Sequence, residues 1–339
     1  MSDNLFPKPF ANFWTLVCRN ERDGLLFRRM ASVLLVAIAM GVMVGLMLAP
    51  HDLRAAGRIH YVAPTGVDSA SCTVSAPCRT IQQAITNTAT GDEIRVAAGT
   101  YNQVNTLGTY PQVVYLNKSV TLMGGFTTAN WVTPDPVANP TIIDAGGSGR
   151  GIHVPNAVVA TVSGFHIRNG NTSANSGAGV YNEAGTLTLD GNWIYSNSTD
   201  DWGGGVANGL LGGSATLYLT NNEIYSNDAV LIGGGIAVLG GTVVMDANAI
   251  YGNAATDVYL GLGGGIAVAS GNTVIRNALI YGNSGVLGAG GIHVGGGSVD
   301  IRHATLYDNS SGIFVTEGTA AIANTLILSN TGEAIHPEA

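Results

Sequence analysis

Charged residues are scarce in this sequence, and basic residues are the scarcest. Of its 339 residues 11% are charged, with 14 Lys and Arg against 22 Asp and Glu. From Arg58 onward eight Lys and Arg stand against eighteen Asp and Glu, a balance of −10. A net negative surface repels phosphate backbones and anionic lipid headgroups. The composition therefore argues against nucleic acid or an anionic membrane surface as a partner.

One segment, Met30 to Pro50, lacks charge altogether over 21 residues. This length suits a membrane span or the core of a signal peptide. Arg28 and Arg29 precede it, so residues 1–29 are predicted to be a cytoplasmic lead and the rest to be exported. The small residues Ala55, Ala56 and Gly57 favour cleavage, so residues 30–57 are interpreted as a signal peptide or, alternatively, an uncleaved anchor. Membrane contact is expected only through residues 30–50.

Cysteine is also scarce, with three residues in the chain. Cys18 falls in the predicted cytoplasmic lead. Cys72 and Cys78, in SCTVSAPC, fall in the predicted exported part, where disulfides persist. The sequence therefore predicts a Cys72–Cys78 disulfide that closes a small loop.

Glycine, by contrast, is abundant, with 48 residues against a usual share of roughly 7%. The glycines show no period of three and recur in clusters, which indicates turns rather than collagen or disorder. They accompany a block that occurs six times with fixed internal spacing, and Val162 to Gly170 is a degenerate seventh copy. The six blocks are LDGNWIYSN, LTNNEIYSN, MDANAIYGN, IRNALIYGN, IRHATLYDN and IANTLILSN, which begin at Leu189, Leu219, Met245, Ile275, Ile301 and Ile322.

A second repeated element follows each block, as in GGGIAV, and places an aliphatic residue at Val180, Val206, Ile236, Ile266, Ile292 and Ile313. So much Gly, Asn and β-branching disfavours helices and fits short strands with tight turns. Each repeat is thus one coil of a parallel β-solenoid, with aliphatic residues stacked inside. Repeat length varies in the corners Ser198–Trp202, Asp228–Ile232 and Ala254–Leu262, and in an insertion around Gly209 to Gly213. The three corners are expected to carry specificity.

Before the repeats, Thr80-Ile-Gln-Gln83 forms a capping-box pattern that predicts a short helix with an apolar stripe. This helix is expected to cover the open end of the coil, since a bare sheet edge invites aggregation. Residues 58–110 are predicted to be the N-terminal cap and first coil, and residues 111–339 the β-helix coils. No capping element is visible after Asn330. We therefore expect a truncated product or a subunit contact at that C-terminal coil.

The opening YVAPTG, the stretches CTVSAPCRTIQQAI and GDEIRVAAGTY, the block NKSVTLMGGF and the repeats together resemble a known family. They are similar to exported bacterial right-handed parallel β-helix proteins of the pectin-lyase-like superfold, in the style of polymorphic outer-membrane-protein-like repeats. The resemblance covers residues 59 to 339 and implies an all-β, right-handed parallel β-helix. That superfold holds lyases, polygalacturonases, epimerases, tailspikes and adhesins, so the fold alone does not decide function.

Strand alternation predicts an outward column just after the second aliphatic residue of each block. Coils stack about 4.8 Å apart, so its five tyrosines form a ladder with an arginine above it. The ladder either stiffens the sheet or offers a platform for sugar rings. The column consists of Arg168, Tyr195, Tyr225, Tyr251, Tyr281 and Tyr307, followed by Leu328.

A second outward column is predicted to run Asp190, Thr220, Asp246, Arg276, Arg302, Ala323. By resemblance to polysaccharide lyases of this superfold, Arg276 or Arg302 would be the base and Asp246 a calcium ligand. The alternative is a set of solvated surface ion pairs. The paired-Asp, His-Gly and Arg-x-Lys signatures of polygalacturonases are missing.

Four aspartates fall in the variable corner of successive coils and are candidates for calcium, which takes six to eight oxygen ligands. They are Asp200, Asp201, Asp228 and Asp257, and ordinary solvated loop acids are the alternative. The closing asparagines, Asn197 to Asn330, are expected to form an internal ladder at a left-handed turn. His153 and His293 share one outward column, with a flat face of Ala207, Ala237 and Ala267 between them.

We interpret the chain as an exported, non-catalytic surface recognition or structural module, carbohydrate-binding or adhesin-like, in a secreted or cell-surface location. Its expected partner is a polysaccharide or cell-surface glycan, and calcium is the one cofactor considered. The alternative function is a polysaccharide lyase, or a hydrolase, acting on an acidic polysaccharide.

Overall fold

The computed structural model describes residues 57–68, 71–155 and 157–337. The predicted cytoplasmic lead and nearly all of the signal segment lie outside these residues. No helix within the described ranges is long and apolar enough to cross a membrane. The described chain is all-β apart from one helix, and it winds as a right-handed parallel solenoid of about 8 turns. The predicted fold class is confirmed.

Four parallel sheets run along the solenoid. The ten-stranded sheet holds Ile59–Val62, Glu93–Ala97, Thr121–Phe126, Val159–Ser163, Thr186–Asp190, Thr216–Thr220, Thr242–Asp246, Asn272–Arg276, Ser298–Arg302 and Thr319–Ala323. The tyrosine sheet holds Gly99–Tyr101, Thr141–Asp144, Phe165–Arg168, Trp193–Tyr195, Glu223–Tyr225, Ala249–Tyr251, Leu279–Tyr281, Thr305–Tyr307 and Leu326–Leu328.

The other two sheets complete each coil. The short sheet holds Asn171–Thr172, Ser198–Thr199, Asp228–Ala229, Ala254–Ala255 and Ser284–Gly285. The glycine sheet follows the Gly clusters and holds Gln112–Tyr115, Arg150–Val154, Val180–Asn182, Val206–Asn208, Ile236–Val238, Ile266–Val268, Ile292–Val294, Ile313–Val315 and Ile335–Pro337.

The core is a column of aliphatic side chains inside the coils. Leu189 pairs with Leu219 and Ile194 with Ile224, one coil apart and in register. All four are fully buried. Burying a side chain of this size contributes about 1.5–3 kcal/mol, so stacking of like residues supplies most of the stability.

The closing asparagines form the predicted internal ladder. The side chain of Asn197 donates to the Ile167 carbonyl at 3.1 Å and to Asn227 Oδ1 at 2.9 Å. The left-handed residue, however, is the one before each asparagine, such as Ser196 with φ 54°. The residue before the asparagine makes the turn, and the asparagine side chain points into the coil. The prediction of a left-handed backbone at the asparagine itself was therefore wrong. A second ladder, Asn192 to Asn222 to Asn248, lies at the preceding turn.

The helix covers Ile81–Asn87, with Thr80 as its N-cap. Thr80 Oγ1 accepts from the Gln83 amide at 3.2 Å, as predicted. The Gln83 side chain donates instead to Asn87 at 3.1 Å, so only half of the capping box forms. The buried residues Ile81 and Ile85 join the main core, which places the helix against the N-terminal coils.

The predicted disulfide between Cys72 and Cys78 is present, with an S–S distance of 1.93 Å. Both cysteines are fully buried and belong to the main core cluster. The bridge therefore ties the N-terminal loop to the same core that the helix covers.

The flat alanine column is covered by the chain itself. Ala207, Ala237 and Ala267 pair in register and are fully buried. A Cβ on Gly203 would lie 2.9 Å from the Ala207 Cβ, so the corner before the strand folds back over the column. Gly203 also has φ +71°, a conformation that costs other residues roughly 1–2 kcal/mol. The alanine column, which the sequence suggested would be a flat outer surface, is therefore an internal contact.

Candidate functional site

The tyrosine ladder forms as predicted on the outer face of the tyrosine sheet. Tyr195, Tyr225 and Tyr251 pair in register, and the column continues to Tyr281 and Tyr307. Neighbouring ring centroids lie 4.8 to 4.9 Å apart and the rings are within 10° of parallel. The ladder therefore follows the rise of the coils.

Polar and aromatic groups surround the upper end of the ladder. Arg168 lies in register with Tyr195 on the next coil and pairs with Asp144 at 2.9 Å. His166 stacks on Trp193 with centroids 4.6 Å apart. Lower down, Tyr251 donates to Glu223 Oε2 at 3.0 Å, and burial and that carboxylate raise the pKa of Tyr251.

Each inner ring of the ladder faces another ring on both sides, since the column is stacked along its whole length. The ladder therefore presents mainly ring edges and hydroxyl groups outward. A sugar that packs on a ring needs a free ring face. Stiffening of the sheet fits this geometry directly, and a role in ligand binding stays a prediction.

Replacing Tyr225 and Tyr251 together with alanine separates the two roles. Three stacked pairs disappear, and we expect the free energy of unfolding to fall by about 2 kcal/mol. Chemical denaturation measures this loss, with Tyr218→Ala as control because Tyr218 is 41% exposed on the ten-stranded sheet. If binding of a glycan also disappears while the variant stays folded at the assay temperature, the ladder is a binding surface as well.

The predicted acid and base column forms on the ten-stranded sheet. Asp246, Arg276 and Arg302 pair in register along the outer face, and all three are exposed. Among the described residues no ion pair joins Asp246 to Arg276. Asp246 instead accepts from the Asn277 side chain at 2.7 Å, and Arg302 pairs with Asp300 at 2.9 Å. These contacts are those of solvated groups at the protein surface, which was the alternative to a lyase site.

The four corner aspartates are not gathered into one metal site. Within the described ranges no group of three or more His, Cys, Asp or Glu side chains is placed to hold a metal ion. Asp257 Oδ1 accepts two backbone amides of its own loop at 2.8 Å, and Asp201 accepts from Ser176 at 2.8 Å. Burial raises the pKa of Asp228. Asp200 is exposed.

A cleft of about 460 Å³ lies beside the glycine sheet. Tyr181 lies on a strand of this sheet and lines the cleft. The corners before the strands and the insertion after Asn208 also contribute to the lining. The lining residues are Tyr110, Arg150, Ala174, Asn175, Ser176, Tyr181, Asp201, Trp202, Leu210, Leu211 and Leu239.

Arg150 is the central charge of this cleft and is only 1% exposed. Its guanidinium carbon lies 4.5 Å from the Tyr110 ring centroid and 5.1 Å from that of Tyr181. Nε and Nη2 donate to the Ser176 carbonyl at 3.1 and 3.0 Å. No described carboxylate lies within ion-pairing distance, and Nη1 has no hydrogen-bond partner among the described residues. Burial lowers the pKa of Arg150.

His153 packs against Tyr181, one of the residues that line the cleft. Its ring stacks on Tyr181 with centroids 5.4 Å apart and 11° between planes. His153 Nε2 lies 2.9 Å from Glu183 Oε2. Burial lowers the pKa of His153 despite this carboxylate, so the ring is favoured in its neutral form near neutral pH. The Tyr181 ring therefore contacts both His153 and Arg150, which lie on the same strand of the preceding coil.

Differences in length between the repeats had indicated some of the loops that line this cleft. The corner Ser198–Trp202, predicted as a specificity loop, supplies Asp201 and Trp202, and the insertion around Gly209 to Gly213 supplies Leu210 and Leu211. Tyr110 and Arg150 lie before the regular repeats and were missed.

Comparison with known proteins agrees with the coiled architecture. Residues 205–332 match the family model described as right handed beta helix region. The fold resembles the crystal structure of pectate lyase Pel9A, with 16% identity, a TM-score of 0.45 and coverage of 83% of this chain and 82% of that one. It also resembles a rhamnogalacturonan lyase, with 16% identity, a TM-score of 0.44 and coverage of 80% and 75%. No curated protein matches the sequence. At these TM-scores the structural likenesses support no functional conclusion.

Proposed function

We propose that this protein is an exported, non-catalytic recognition module that binds a polysaccharide in the cleft around Arg150. One observation carries the proposal: a buried guanidinium, flanked by Tyr110 and Tyr181, borders a preformed cleft together with Trp202. Binding sites for small ligands combine apolar and aromatic walls with a few convergent polar groups. The cleft has this composition.

The chemistry of a sugar fits these groups. A sugar ring has apolar C–H faces, which pack on aromatic rings such as that of Trp202. Its hydroxyl edge needs donors and acceptors, which Arg150 Nη1, Asn175 and Asp201 supply.

Export is part of the proposal and has separate support. A disulfide such as Cys72–Cys78 persists in oxidising compartments and is rare in the cytosol. The uncharged run from Met30 to Pro50 is of a length suited to a signal segment or an anchor. The acidic balance after Arg58 fits a soluble ligand without phosphate.

A polysaccharide lyase is the second candidate, and one observation favours it. A buried arginine, Arg150, lines the cleft, and burial lowers its pKa, the direction that a proton-abstracting base requires. Arg150 then takes the role that the sequence analysis gave to Arg276 or Arg302. Uronic-acid polysaccharides incubated with the protein, with and without calcium, test this. New ultraviolet absorbance from an unsaturated product would replace the binding proposal with the lyase.

Replacement of Trp202 with alanine tests the binding proposal. We expect the affinity for a bound polysaccharide to fall at least about tenfold, because an aromatic wall of the site is lost. Isothermal titration against a panel of neutral and acidic polysaccharides measures it. Trp193→Ala is the matched control, since Trp193 lies on the tyrosine sheet. Loss of binding in the Trp193 variant alone would contradict the cleft and favour the tyrosine ladder.

A further inference from the structure

The insertion around Gly209 to Gly213 gives the cleft an apolar wall found in no other coil of the regular repeat. In the sequence the distance from the glycine-strand aliphatic to the next block is 13 residues here and 9 in the other coils. The four extra residues include Leu210 and Leu211, which are 52% and 62% exposed. Leu239 of the next coil, which is buried, extends the same side of the cleft.

Backbone contacts hold this wall in place. The Gly209 amide donates to the Asn182 carbonyl at 2.8 Å, and the Gly213 amide to the Leu210 carbonyl at 2.7 Å. The loop rests on Gly240, where a Cβ would lie 2.4 Å from the Leu210 oxygen. The two leucines are therefore presented beside the cleft by a fixed turn, with their side chains exposed to solvent.

The two sides of the cleft differ in polarity. Asp201 and Trp202 precede the strand Val206–Asn208, and Leu210 and Leu211 follow it, so they flank opposite ends of that strand. Polar atoms of Asn175, Ser176 and Asp201 lie on the first side. Leucine side chains line the second side. A ligand that fills the cleft must be polar at one edge and apolar at the other, because polar groups left unpaired against leucine lose hydrogen bonds.

We infer that the cleft selects a sugar residue carrying a methyl-bearing substituent, an O-acetyl ester or the methyl of a 6-deoxy sugar, over the same sugar with a free hydroxyl. The inference rests on the proposed function and names the ligand class of that site. The hydroxyl edge of the sugar faces Arg150 and Asp201. The methyl group contacts Leu210 and Leu211, against which a free hydroxyl would lack a hydrogen-bond partner.

Two matched pairs of probes separate the two sources of the methyl group. The first pair is an O-acetylated xylan and the same xylan after alkaline deacetylation. The second is methyl L-rhamnoside and methyl L-mannoside, which differ by one hydroxyl. We expect the wild-type protein to prefer the methyl-bearing member of one pair by about tenfold, the discrimination that an apolar pocket gives for one small group. The pair that shows the preference identifies the substituent.

The variant Leu210→Ser/Leu211→Ser is expected to lose this preference, to below about threefold, while it still binds the saccharide. The matched control is Val258→Ser/Leu260→Ser, two exposed aliphatics in another corner, at 61% and 53%, and it should keep the preference. Equal wild-type binding to both members of each pair, or a preference that survives in the leucine variant, would overturn the inference. Wild-type protein that binds no saccharide at any concentration would overturn the proposed function itself.

Discussion

Replacing Asn227 with alanine is expected to lower the free energy of unfolding by about 4 kcal/mol, at about 1 kcal/mol for each hydrogen bond lost. Its side-chain nitrogen donates to the Ile194 carbonyl at 2.9 Å and to Asn253 Oδ1 at 3.0 Å. Its side-chain oxygen accepts from the backbone amide and the side chain of Asn197, at 3.1 and 2.9 Å. Asn227 is 1% exposed, so water cannot replace these partners in the folded state.

Equilibrium denaturation with guanidinium of wild type and variant measures the loss. Hydrogen exchange then shows whether the coils that contain Asn197 and Asn253 open first, as nearest-neighbour coupling in a repeat protein predicts. Asn272→Ala is the control, because Asn272 is exposed and accepts one surface hydrogen bond from Ser298 at 2.8 Å. A change of less than about 1 kcal/mol for Asn227→Ala would show that the ladder contributes no more than ordinary surface amides.

Replacing Gly234 with alanine is expected to cost about 3 kcal/mol or more, from overpacking against backbone. A Cβ at this position would lie 2.1 Å from the Ala254 carbonyl oxygen and 2.6 Å from its carbon. Gly204 and Gly264 approach the following coil in the same way, at 2.2 and 2.1 Å. Neither atom can move aside, because the Ala254 backbone belongs to the short sheet.

The control for this substitution is Gly252→Ala, which tests backbone conformation without a clash. Gly252 has φ +61° and its nearest neighbours lie 4.0 Å from a Cβ, so we expect a cost of about 1 kcal/mol. Ser226 occupies the same turn one coil earlier with φ 51°, which shows that the turn accepts a side chain. Thermal melts of both variants give the comparison. If both variants lose the same stability, the backbone conformation, rather than the close approach of the next coil, explains why position 234 is a glycine.

The repeat could be recognised in the sequence because stacked coils keep the same spacing between equivalent residues. Residues at equal positions in two blocks lie above one another, so the inward place of Ile194 and the outward place of Tyr195 followed from strand alternation. Asn197 was assigned to a ladder on the same grounds. The Cys72–Cys78 disulfide followed from short spacing in a segment predicted to be exported.

The cleft could not be predicted in the same way. Tyr110 and Arg150 belong to coils that precede the regular blocks, and their distance from Trp202 depends on how corners fold over the sheet. Repeat length signalled that the insertion at Leu210 protrudes, but it could not give the direction. The burial of Ala207 was missed for the same reason, since a column of small residues has the same spacing whether it is bare or covered.

The sequence by itself determined the coil, its inward aliphatics, its asparagine turns and its tyrosine column, because each depends on contacts between identical positions one repeat apart. Tertiary structure alone decided where loops of unequal length close over the glycine sheet. That choice brings Arg150 against two tyrosines, places Trp202 and Leu210 in the lining of one cleft, and buries the alanines. Irregular segments carry no period, and their contacts join different positions of different coils, so only folding in three dimensions brings those residues together.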